Sequence, residues 1–125
     1  MYKIIAGLGT AVVLLCGCSA ADTSSAQEAA QQFEAALGDG GAPACAFLAP
    51  RARDGLGPGG CAPGSPVSAL PRAAVGSVVV WGDEAQARTA ADTLFLHDFP
   101  DGWRVTGAGC HPRNEQVYDC AVGGR

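Results

Sequence analysis

Residues 93–110 constrain this chain more than any other stretch. Thr93-Leu94-Phe95-Leu96, continuing to Phe99, and Trp103-Arg104-Val105-Thr106 flank the tripeptide Pro100-Asp101-Gly102, and Cys110 closes the second run. Proline presets φ at about −65° and glycine accepts positive φ, so the tripeptide reverses the chain at little steric cost between two runs that suit a pleated surface. The period of two then sets Phe95 and Phe99 against Leu94 and Leu96 on opposite faces of the hairpin. Upstream, Val75–Trp81 reads as a strand with Val75, Val79 and Trp81 on one face and Val78 and Val80 on the other. Gly82-Asp83-Glu84 turns the chain, and Ala85–Ala90 returns as a second strand. These segments form an antiparallel meander. Gly107 and Gly109 permit a bend before Cys110, and Tyr118–Val122 supplies a short edge strand at the end.

Before the sheet the pattern is helical. Ser25-Ala26-Gln27-Glu28 has capping-box spacing, Ala26, Ala29, Ala30, Phe33 and Leu37 recur on one side, and Gly38 stops the run. Pro43 is placed to begin a second helix through Cys45, Phe47 and Leu48, while Pro50 ends that turn or starts another. Gly55–Pro66, with five glycines and three prolines, is an irregular loop around Cys61, and Val67–Ala74 has room for one further helical turn. The class is therefore α+β: N-terminal helices packed on a curved antiparallel sheet of about four strands. One sheet face needs the helices as cover. The other is too apolar to be wholly wet, so it meets the loops, its own curvature or a partner.

The N-terminus carries a different message. Lys3 supplies a positive charge, Ile4–Leu15 is an apolar run shorter than the roughly 20 residues a spanning helix needs, and Leu15-Cys16-Gly17-Cys18 follows. That ending resembles a bacterial lipobox, in which an aliphatic residue, a tolerant position and a small residue precede the cysteine that takes the lipid. The resemblance implies a signal peptide over residues 1–17, lipidation at Cys18, a tether over 18–24 and a single domain over 25–125. Localisation would be the extracytoplasmic face of the cell membrane.

Removal of residues 1–17 takes away the only lysine and both isoleucines and leaves seven Arg against twelve Asp and Glu, a net charge of −5. Such a field repels phosphate backbones, so nucleic acid is excluded as a partner. Bulky apolar residues are few, and four cysteines remain outside the lipobox, an even number suited to an oxidising compartment. Three pairings are open. Cys45–Cys61 and Cys110–Cys120 are favoured because each closes a short loop containing glycine or proline, and loops of this length stabilise a fold by roughly 3 kcal/mol. Zinc is disfavoured: there is no Cys-x-x-Cys, and Cys110 and His111 are neighbours on a strand.

Asp92-Thr93-Leu94-Phe95-Leu96, Phe99-Pro100-Asp101-Gly102-Trp103-Arg104-Val105, Gly109-Cys110 and Tyr118-Asp119-Cys120 together resemble a group of small lipoproteins from high-GC Gram-positive bacteria. The order of helices and sheet is similar to the nuclear-transport-factor-2-like (cystatin-like) α+β fold. That fold hosts cyclases, isomerases, dehydratases and non-catalytic binding modules, so the resemblance selects no single activity.

His97 and Asp98 are the only adjacent imidazole and carboxylate in the sheet, and adjacency places them on opposite faces, so they cannot share a substrate on a regular strand. His97 is the one catalytic candidate, and Trp81, Phe95 and Phe99 are the candidates for ligand binding. Trp103 reads as core, His111 as a solvated loop residue, and Gly57–Gly64 as turn-formers without the lysine of a phosphate loop. No serine has a hydrolase setting, and no cofactor is called for. The sequence thus points to a non-enzymatic envelope lipoprotein. Its partners would be the membrane, through the lipid, and an envelope protein or small apolar ligand on the sheet. The alternative is a small isomerase- or cyclase-like enzyme using His97 in an apolar pocket.

Overall fold

The computed structural model describes residues 16–124, with side chains from residue 22 onward. Helix α1 spans Cys16–Leu37, α2 spans Pro50–Asp54, and two 3-10 helical turns cover Pro43–Phe47 and Pro66–Ala69. Five strands follow: β1 Val75–Trp81, β2 Glu84–Thr89, β3 Thr93–Phe99, β4 Gly102–Pro112 and β5 Tyr118–Gly123. All neighbours pair antiparallel in the order β1-β2-β3-β4-β5, so the chain is an α+β meander of five strands where about four were expected. The C-terminal edge expected over Tyr118–Val122 is β5, which pairs with β4 over five positions from Gly107↔Gly123 to Pro112↔Tyr118.

The first helix departs from expectation at its start. It is continuous from Cys16, so residues 18–24, expected as a tether, are helical, and the Ser25 capping box is not formed. Glu28 instead accepts a bond from Gln32 one turn on, at 3.5 Å. The physical reason is that no Gly or Pro interrupts Cys18–Ala36, and a helix already nucleated gains one hydrogen bond for each residue it adds. Of the expected signal segment, residues 1–15 lie outside the described residues. Cys18 falls in the first turns of α1, where only the backbone is described.

Ala26, Ala30, Phe33 and Ala36 form the buried stripe of α1 and lie on the sheet face made by Ala85, Ala87, Leu94, Leu96, Val105 and Val122. Small residues on both surfaces let helix and sheet approach closely, and Phe33 fills the space left between them. Leu48, Val67 and Leu70 close the core from the irregular segment. Trp103 packs against this core as expected, whereas Val75, expected beside Val79 and Trp81, also packs inward. The register slips between Val75 and Ser77, which breaks the alternation there.

Both expected disulfides are present. Cys45–Cys61 ties the 3-10 turn to the glycine-rich loop with Cα atoms 6.1 Å apart, and Cys110–Cys120 links directly opposed residues of β4 and β5. Arg104 fastens the β3–β4 hairpin, donating to the Asp101 carboxylate at 3.0 Å and to the Ala46 carbonyl at 2.7 Å. At the other end of the sheet, Arg113 donates to both carboxylate oxygens of Asp119 across the β4–β5 loop.

Candidate functional site

α1 covers one face of the sheet only. On the other face the period of two exposes Val79 and Trp81 from β1, Glu84 and Gln86 from β2, Phe95, His97 and Phe99 from β3, and Thr106 from β4. β4 is held to β3 with two slips of register, between the pairs Thr93↔Cys110 and Phe95↔Gly107 and again before Leu96↔Val105. At the first slip Gly109 sits at φ +65°, its amide donating to the Asp92 carboxylate at 3.0 Å.

A hollow of about 580 Å³ opens on this face, with Phe95, Val117 and Tyr118 supplying apolar walls and Glu84, His97, Thr106 and Gln116 polar ones. Phe95 and Tyr118 rings meet with centroids 5.0 Å apart, and the Tyr118 hydroxyl accepts from the Gln86 amide at 3.2 Å. A second hollow of about 430 Å³ lies beside Phe99, Ala52 and Gly123. The two share Thr106 and Gly124, so they form neighbouring parts of one open surface. His97 lines the larger hollow, and its ring lies 4.6 Å from that of Phe99, which lines the smaller.

The partner of His97 is Glu84, not Asp98. β2–β3 register sets Glu84 directly opposite His97, and the Glu84 carboxylate is in hydrogen-bond contact with the imidazole Nδ1. Both side chains remain accessible, at 33% for His97 and 49% for Glu84. Nδ1 is thus engaged, which leaves Nε2 as the ring atom available to a ligand. Of the sequence candidates, Phe95 and His97 line the larger hollow and Phe99 the smaller. Trp81 shares the face, half exposed and paired with Glu84 in register, but lines neither hollow. Glu84, Gln86, Thr106 and Tyr118 were missed. Glu84 was legible in principle, since a two-residue Gly82-Asp83 loop fixes Trp81↔Glu84, but the β2–β3 loop length that fixes Glu84↔His97 was not.

On the covered face a carboxylic acid is buried. Glu34 of α1 is 4% exposed and accepts the Ala73 amide at 2.8 Å through Oε1, while its Oε2 has no partner. Burial pushes its pKa up to about 6 and the Asp92 carboxylate adds to this, against the pull of the Ala73 amide and the Arg72 guanidinium. Exposed pairs behave in the opposite sense: hydrogen bonds from Arg104 and Arg113 hold the Asp101 and Asp119 carboxyls below the usual range. Among the described residues no three His, Cys, Asp or Glu side chains gather as a metal site, and no helix is long and apolar enough to cross a membrane.

Comparison with family models, with curated proteins and with solved structures finds no match to this chain.

Proposed function

We propose that this chain is a non-enzymatic envelope lipoprotein, anchored through Cys18, whose helix-free sheet face binds a small amphipathic ligand with an aromatic or apolar body. One observation carries the binding reading. The sheet face opposite α1 holds a hollow of about 580 Å³ in which aromatic walls and hydrogen-bonding groups converge, the combination typical of small-molecule sites. Two register slips between β3 and β4 support a curved sheet on this face, since bulges bend the strand that carries them. Glu84 is the charged group at its rim, on a chain with twelve acidic residues and eight basic ones, so neutral or cationic ligands are favoured over anions. The lipobox resemblance and the even cysteine count support an extracytoplasmic setting.

The test uses N-phenyl-1-naphthylamine, a neutral aromatic probe whose fluorescence rises on leaving water. Titration gives saturable enhancement in the unaltered protein, and Phe95→Ala or Tyr118→Ala weakens it about fivefold or more, since each aromatic wall buries substantial apolar area. Equal binding by all three proteins would remove this face as the site. The Glu84–His97 contact favours a second reading, the isomerase- or cyclase-like enzyme, in which Nε2 of His97 exchanges a proton with a substrate in the hollow. His97→Gln, which keeps a hydrogen-bonding side chain in the hollow but cannot exchange a proton, retains the biological activity of the protein under the binding reading; under the second it abolishes that activity while the probe still binds.

A further inference from the structure

β1 is an edge strand, and past its register slip between Val75 and Ser77 it lacks the usual defences of one. Ser77-Val78-Val79-Val80-Trp81 carries no charge, no proline and no lysine, and among the described residues only β2 pairs with it. Its helix-free side is apolar and open, with Val79 60% and Trp81 50% exposed, the two largest exposures among the bulky hydrophobic residues described. Natural sheets guard such an edge or use it, because its outward amides and carbonyls template another strand.

We infer that β1 pairs antiparallel with β1 of a second copy of this chain, about a two-fold axis at Val79. Slippage between Val75 and Ser77 ends the regular ladder, so the pairable segment is Ser77–Trp81 and its centre is Val79. A two-fold there sets Val79 against its own copy, Val78 against Val80, and Ser77 against Trp81, keeping each residue on its own face. Charge follows the same symmetry. On the helix-free face Arg88 lies beyond Ser77 and Glu84 beyond Trp81 in the β1–β2 register. Antiparallel pairing therefore lines Arg88, Ser77, Trp81 of the second copy and Glu84 of the second copy in one row, twice. The opposite charges then stand three strand spacings apart, roughly 14 Å between backbones, so the charge pattern is complementary across the axis without a direct ion pair, Glu84 keeping its contact with His97. Parallel pairing of the same edge would instead turn the second copy over, so that the two helix-free faces, with their Glu84 and Arg88 side chains, would lie on opposite sides of the joined sheet. The product is a ten-stranded sheet with both hollows on one face.

The full chain with Cys16→Ser and Cys18→Ser, which leaves no thiol outside the two disulfides, produced in an oxidising compartment, tests this through single introduced cysteines, with copper–phenanthroline and dissolved oxygen taking up the electrons and protons of each thiol pair. Val79→Cys, on the axis, crosslinks to a covalent dimer of this chain on a non-reducing gel. Ser77→Cys and Trp81→Cys each stay uncrosslinked alone, and dimerise with one another when the two variants are mixed. Equal crosslinking by all three singly, none by Val79→Cys, or an adduct containing a different chain overturns the inference. A variant without new thiols guards against misfolding: Val79→Lys, at an exposed position, weakens self-association at least tenfold in sedimentation equilibrium with an unchanged circular dichroism spectrum. An unaltered protein that sediments as a monomer across the concentration range also overturns it.

Discussion

Glu34 is the most deeply buried polar or charged residue among those described. An acid whose folded pKa is about 6 against 4.5 unfolded binds its proton more tightly in the native state, so the folded protein holds more proton between those two values. Stability therefore falls as pH rises from about 4.5 to 6, by about 2 kcal/mol in total, and stays at the lower level above. Glu34→Gln removes that slope. In urea melts the variant has the higher midpoint at pH 7.5, by the equivalent of up to about 2 kcal/mol, and matches the original protein at pH 4. Curves that stay parallel across this range would mean that Glu34 is solvated. The sequence offered no warning of this site, because Glu34 reads as a polar-face residue of an amphipathic helix and only the close, small-residue packing of α1 turns it inward. His97 shows the converse: its strand and face followed from alternation alone, while its partner across the hairpin depended on a loop length that periodicity does not set.

At the scale of elements, alternation and turn chemistry made most of the sheet legible. β1 has the expected bounds, β3 and β4 meet at the expected Pro100-Asp101-Gly102 turn, with Gly102 at φ +121°, and the glycines before Cys110 mark a slip of register. Helix bounds were less legible, since an alanine- and serine-rich run gives no punctuation and a capping box competes poorly with continued propagation. Gly109 is where β4 depends on one residue. A Cβ there would lie 2.7 Å from Leu70 Cδ2 and 3.0 Å from the Ala121 side chain, at a backbone angle that side chains disfavour. Gly109→Ala combines a left-handed penalty of roughly 1–2 kcal/mol with overpacking of roughly 1–3 kcal/mol. We expect a loss of about 2–5 kcal/mol in urea midpoint analysis. The tertiary fluorescence signal of Trp103, packed on the same core, follows the same transition.

For the whole molecule, the problem is a small core. Most of the buried stripe of α1 and the β2 contribution are alanine, and the large fully buried side chains reduce to Phe33 and a few Leu and Val. The two disulfides compensate in the segments with the least regular structure. Cys45–Cys61 restrains the 43–66 region, whose Gly and Pro content gives no ladder of its own, and Cys110–Cys120 holds β5, the strand that carries Tyr118 to the hollow. Loops of 16 and 10 residues are each worth roughly 3 kcal/mol in chain entropy, so the pair accounts for about as much as the whole stability of a marginal domain, ~5–15 kcal/mol. The two bridges also act on different parts of the molecule. Replacing Cys110 and Cys120 together by Ser frees the edge that forms one wall of the hollow, so probe binding falls along with about 3 kcal/mol of stability. Replacing Cys45 and Cys61 costs a similar amount while the hollow keeps its walls and its affinity for the probe. Urea melts paired with N-phenyl-1-naphthylamine titration separate the two effects, and equal loss of binding in both double variants would show that the hollow depends on global stability and not on the β4–β5 bridge.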